Sequence, residues 1–194
     1  MGNRLVARDL INIGVFTAVY FVIIFGSAFV GVIAPWAMFV GFFIGILLGG
    51  PVLVLLAVRS PAFGTMTLTG LLIALLMVLT GHFWGLLIIA PLLGLAFDAI
   101  MRAGRHRPIW VAVGYAVFSL WYLGPLLPIF FNSDAYFAET AESMGAGYAE
   151  AMKALFTPGI VVGFGVAVVV VGLAAGMFGT RMLSKHFVRA GLAG

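Results

Sequence analysis

The chain has 194 residues, of which 64% are hydrophobic and only 8% charged, with a mean hydropathy of +1.24. A soluble domain typically carries about 25% charged residues to meet water over its surface, so a soluble globular enzyme and a disordered chain are both excluded. Cysteine is absent, which removes disulfides, thiolate metal sites, iron–sulfur clusters and cysteine nucleophiles together.

A helix needs about 20 apolar residues to cross a hydrocarbon core roughly 30 Å thick. Taken in chain order, six stretches meet that need: Leu10 to Ile33, Trp36 to Val58, Ala62 to Leu79, Phe83 to Met101, Ile109 to Phe131 and Pro158 to Met182. Pro35, Arg59 and Pro61 interrupt the pattern between the first three. Pro51 follows Gly49 and Gly50 inside the second, which predicts a kink or break there. Pro91, Pro125 and Pro128 predict similar disturbances in the fourth and fifth. Arg4 and Arg8 precede the first apolar run, as in a secretory signal. The run is about twice the length of a signal core and no small-x-small cleavage site follows it, so a retained helix is expected. The predicted fold is all-α: a single transmembrane domain over residues 1–194, polytopic, with six transmembrane helices.

The ionic residues orient it. With a cytoplasmic N-terminus, Arg4, Arg8, Arg59, Arg102, Arg105, Arg107, Arg181, Lys185 and Arg189 all fall inside, which is nine of the ten Lys and Arg residues. Lys153 alone falls outside, in the segment that holds Asp134, Glu139, Glu142 and Glu150. This is a strong positive-inside bias, with both termini cytoplasmic. It also accounts for the formal charge of +4 as basic rims facing anionic head groups rather than a nucleic-acid patch. One connection is long. Residues 132–157 form a polar outer segment, rich in alanine, in which Tyr136, Phe137, Met144, Tyr148, Met152 and Phe156 recur at helical spacings. It is expected to form one or two short amphipathic helices over the outer mouth. No long-period repeat supports an inverted-repeat transporter within the chain.

Ionisable residues deep in a span are the first functional candidates, because burying them unpaired is costly. Only Asp98 qualifies, with Arg102 four residues on along the same helical face. The two read either as an interfacial pair that anchors the fourth helix or as a coupling element. No HExxH, GxSxG or Walker A sequence is present, and no enzyme is expected. His82 lies in TGHFW, the outer link between the third and fourth helices, beside Phe83 and Trp84. It reads either as part of an interfacial aromatic belt or as a ligand-contacting corner, since imidazole can donate, accept or ligate a metal. Trp121 and Tyr122 on the fifth helix, then Asn132, Asp134 and Tyr136, form a second group near the outer face. Small residues at Gly14 and Ala18, and at Gly163, Gly172, Gly176 and Gly179, permit close helix approach. That approach serves either the internal packing of the bundle or the docking of another membrane subunit.

RDLINIGVFTAVYF near the start, LLMVLTGHFWGLL in the middle, GYAVFSLWYLGPLLP on the fifth helix and the closing LSKHFVRAGL carry a family resemblance. Over nearly its whole length the chain resembles the substrate-binding S components of energy-coupling-factor (ECF) transporters, and among them the MptD/Trep_Strep family. The resemblance implies a multi-pass protein of a prokaryotic cell membrane that captures a micronutrient at the outer face. It then docks on a transmembrane coupling subunit (EcfT-like) driven by two cytoplasmic ATPases. It further implies that Gly14 and Ala18 hold the docking motif of the first helix, with glycine in place of the usual first alanine. The substrate site would lie at the outer helix ends, among His82, Trp84, Trp121, Tyr122, Asn132, Asp134 and Tyr136. No intrinsic cofactor is implied. Haem is a possible substrate, with His82 as its iron ligand, beside a vitamin-like compound. Two other classes stand next to this reading, a self-sufficient facilitator or channel and a non-transport scaffold subunit.

Overall fold

The computed structural model describes residues 5–189, with side chains described through Ser184. Arg4 and the side chains of Lys185, His186 and Arg189, which the charge pattern places at the basic end, lie outside the described residues. The architecture among the described residues is all-helical. It consists of α1 (Ala7–Ala28), α2 (Ala37–Arg59), α3 (Thr65–Leu79), α4 (Leu86–Ala103), α5 (Pro108–Phe118), α6 (Pro128–Phe131), α7 (Ser133–Met144), α8 (Ala146–Leu155) and α9 (Pro158–Arg189). Tight 3-10 turns extend α1 over Phe29–Val32 and α5 over Ser119–Leu126.

Among the described residues, five helical segments are long and apolar enough to cross a membrane: Ala7–Val32, Ala37–Arg59, Leu86–Ala103, Pro108–Leu126 and Pro158–Ser184. The expected third span is shorter than its apolar run. α3 has 15 residues, about 22 Å at 1.5 Å per residue. Pro61 and Gly64, whose φ of 99° is a left-handed value that favours glycine, hold residues 60–64 out of the helix.

The other helix-breaking expectations divide. α2 runs unbroken through Pro51, and α4 through Pro91. The fifth segment does change. α5 stops at Phe118 and tightens into 3-10 turns, because Pro125 has no N–H to offer Trp121 and its ring crowds that carbonyl. Pro128 then opens the single turn of α6.

Helix packing closes a ring, with α1 against α2, α2 against α9, α9 against α5, α5 against α4, α4 against α3, and α3 against α1. The helices alternate in direction between two ends. Arg59, Arg102, Arg105 and Arg107 flank the links at one end, while the Thr80–Gly85 link and the α7–α8 pair occupy the other. The glycines show how closely the helices meet. A β-carbon on Gly176 would lie 2.8 Å from the Ala112 backbone, and one on Gly172 or Gly179 would lie 3.0 Å from the Ala116 or Pro51 backbone. These α9 glycines serve packing within the ring. Gly14 differs: a β-carbon there meets nothing within 4 Å, and Ala18 is exposed beside it. The same face of α1 exposes Leu10, Ile11, Val15 and Val22.

Candidate functional site

At the end opposite the arginines, four irregular segments converge on a cavity of about 620 Å³, well inside the range of small-molecule sites. They are the 3-10 end of α1, the Thr80–Gly85 link, the 3-10 stretch after α5, and the lid formed by α7 and α8. The lid follows from local sequence. Ser133–Met144 and Ala146–Leu155 are alanine-rich helices, hinged at Gly145, whose φ of 92° favours a residue without a β-carbon. It is held down at two places. The Tyr148 hydroxyl donates to the Gly31 carbonyl at 2.7 Å. Phe156 packs on Phe39 with ring centroids 5.1 Å apart, and Phe39 packs in turn on Phe164 of α9.

His82, Trp84, Trp121, Tyr122, Asn132 and Tyr136 all border this one cavity, although they come from three separate stretches of chain. Asp134 does not; it is exposed in the first turn of α7. Trp121 and Tyr122 are buried in the floor, whereas Trp84 is 64% exposed at the rim, stacked at a tilt on Phe83. His82 Nδ1 lies 3.2 Å from the Met77 carbonyl oxygen and 3.1 Å from Thr80 Oγ1. A carbonyl can only accept, so the Met77 contact is a hydrogen bond in the tautomer that carries its proton on Nδ1, which leaves the Nε2 lone pair free. Partial burial lowers the imidazole pKa below its ordinary value, against the opposing pull of the Met77 carbonyl. Tyr136 is pushed up to about 12 by burial, with smaller contributions from Tyr148 and Glu139, so it remains a neutral hydroxyl.

Beneath the floor lies a hydroxyl cluster that the pattern of polar residues did not single out. Trp121 Nε1 donates to the Tyr20 hydroxyl at 3.1 Å, and the Tyr115 hydroxyl donates to the Ile46 carbonyl at 2.7 Å. The Tyr122 hydroxyl is buried without a hydrogen-bond partner among the described residues. It fits against bare backbone: a β-carbon on Gly45 would lie 2.6 Å from it and 2.7 Å from Ser27 Oγ. Gly49 likewise makes room for the Tyr20 ring. The sequence signal was the small-residue series Gly41, Gly45, Gly49 at helical spacing on α2, which reads more readily as a weak point near Pro51.

At the basic end the expected Asp98–Arg102 pair does not form. Asp98, 2% exposed, accepts hydrogen bonds from the backbone N–H groups of Gly64, Met66 and Thr67 and from the Thr67 hydroxyl, at 2.7–3.1 Å. A carboxylate inside the bundle is best satisfied by several convergent donors, and the N-terminus of α3 supplies them together with the positive end of its dipole. Arg102 turns instead toward Phe63, with its guanidinium carbon 5.7 Å from the ring centroid. A second hollow of about 710 Å³ opens there, bordered by Asp98, Arg102 and His106.

Among the described residues no three His, Asp or Glu side chains gather as a metal site. No curated protein and no solved structure matches the chain. A family model described as a hypothetical bacterial integral membrane protein, Trep_Strep, matches residues 7–189. With the apolar helices and nearly the full described length accounted for, the chain belongs to the Trep_Strep family of bacterial integral membrane proteins.

Proposed function

We propose that the chain is the substrate-binding S component of an ECF-type importer in a bacterial cell membrane, with six passes and both termini inside. The observation that carries this reading is the lidded cavity, at the end opposite the arginines, around which six of the seven candidate residues meet. In a membrane with its arginines inside, that cavity faces out. The short α3 makes the sixth pass in company with α4, with Phe63 and Trp84 near its ends. The chain has no Walker A sequence and no relay of buried acids, so concentrating a substrate needs energy from a partner. The open face of α1 around Gly14 and Ala18 offers an EcfT-like coupling subunit, itself driven by two cytoplasmic ATPases, a surface for close approach.

Between the two substrate classes, the cavity favours a vitamin-like compound over haem. His82 Nε2 is a suitable iron ligand, but the two propionates of haem would meet Glu139 and no Lys or Arg among the residues that border the cavity. The test is to purify the protein gently in detergent, record its visible spectrum and identify any released compound by mass spectrometry. A Soret band lost in His82→Ala would make the cargo haem. In proteoliposomes with the coupling module, ATP-driven uptake is expected, and Gly14→Leu with Ala18→Leu should abolish it while leaving binding intact. Uptake without any ATPase would establish a facilitator instead.

A further inference from the structure

The charges of the described chain are divided between its ends. Arg8, Arg59, Arg102, Arg105, Arg107 and Arg181 lie toward the end away from the cavity, while the lid carries Asp134, Glu139, Glu142 and Glu150 against Lys153, a net charge of −3. Lys153 does not compensate within the cavity. It is not one of the bordering residues, and its ammonium sits 5.8 Å from the Phe137 ring centroid. The carboxylate that does border the cavity is Glu139, and it shares the wall with the rings of Phe25, Phe42, Phe83, Trp84 and Trp121. Ring faces carry a negative quadrupole, which attracts a cation, and does so more strongly once the cation is desolvated. An anion entering the same space would lose hydration and gain no opposite charge. The negative lid would also repel it on approach.

We propose that the ligand of the outer cavity is an organic cation, with its positive head against Glu139 and the aromatic faces and its apolar body along the wall. The inference rests on the cavity being the cargo site, and deepens that reading by naming the chemical class.

The test uses the full chain in nanodiscs of zwitterionic lipid, with benzyltrimethylammonium and phenylmethanesulfonate as probes of similar shape and opposite charge, followed by tryptophan fluorescence. Saturable binding of the ammonium and none of the sulfonate is expected. Glu139→Gln should weaken the ammonium about fivefold, the scale of one partly exposed charge contact. Glu142→Gln, on the same lid but off the cavity wall, should leave it unchanged. The proposal is overturned if the ammonium shows no saturable binding, if the sulfonate binds as well, or if Glu139→Gln has no effect. ATP-driven uptake of an anionic compound would overturn it too, while leaving the importer reading intact. Ammonium binding without ATP-driven uptake would do the reverse.

Discussion

At the arginine-rich end of the bundle a carboxylate is buried and completely engaged: Asp98 receives four hydrogen bonds from the start of α3 and ties that helix to α4. At the cavity end the polar groups are spread around empty space. His82 Nε2 makes no hydrogen bond among the described residues, and Asn132 and Glu139 are exposed on the cavity wall. Both ends place polar chemistry in an apolar protein, but only the first satisfies it internally. Polar groups that the fold leaves unpaired are available to something else, and that separates a structural end from a binding end.

The comparison is most exposed at Asp98. Asp98→Ala leaves three backbone donors and a hydroxyl without their acceptor, and should cost about 4 kcal/mol of stability, read as a lower unfolding temperature in detergent. Arg102→Ala should change stability little. Equal losses would mean that the two residues act as a pair after all.

Glycine packing gives the next largest effect. Gly176→Leu forces the side chain into the Ala112 backbone and should destabilise by about 3 kcal/mol, whereas Gly14→Leu, with open space around it, should leave the unfolding temperature unchanged. A large loss at Gly14 would show that this face of α1 is packed rather than available for docking.

The smallest effect is a pH dependence at the cavity end. The folded state lowers the His82 pKa, so between the ordinary imidazole value of about 6.5 and the folded one the unfolded chain binds more protons. Stability contributed by the neutral ring is present above about pH 6.5 and is lost as pH falls toward the folded value. Because His82 is only partly buried, the loss should be slight, and His82→Gln should remove it. A stability that rises on acidification, and does so only with His82 present, would reverse the assignment.

Much of the candidate site could be read before the fold was known, and for a local reason. His82, Trp84, Trp121, Tyr122, Asn132 and Tyr136 are polar or amphipathic groups at the ends of apolar runs, and helices of similar length that alternate in direction bring such ends together. Asp134 was misplaced because the face that a residue takes on a short lid helix depends on how the lid seats, and Tyr148 and Phe156 decide that. Tyr20, Tyr115 and Ser27 were missed because they sit within apolar runs, where a tyrosine or serine hardly disturbs the hydropathy.

The sequence by itself determined that this is a membrane protein, where its apolar segments lie, which links carry positive charge, and that a helical lid interrupts the pattern. These are sums over neighbouring residues, and hydropathy, charge bias and helix propensity are local. Only the tertiary structure decided the rest. It set the order of helices around the ring, turned Gly172, Gly176 and Gly179 inward and Gly14 outward, and gave Asp98 partners 31 to 34 residues away instead of four. Those outcomes depend on which helix faces which. In a chain where almost every residue is apolar, hydrophobicity cannot make that choice, and it falls to close packing and to the few polar groups that must find a partner.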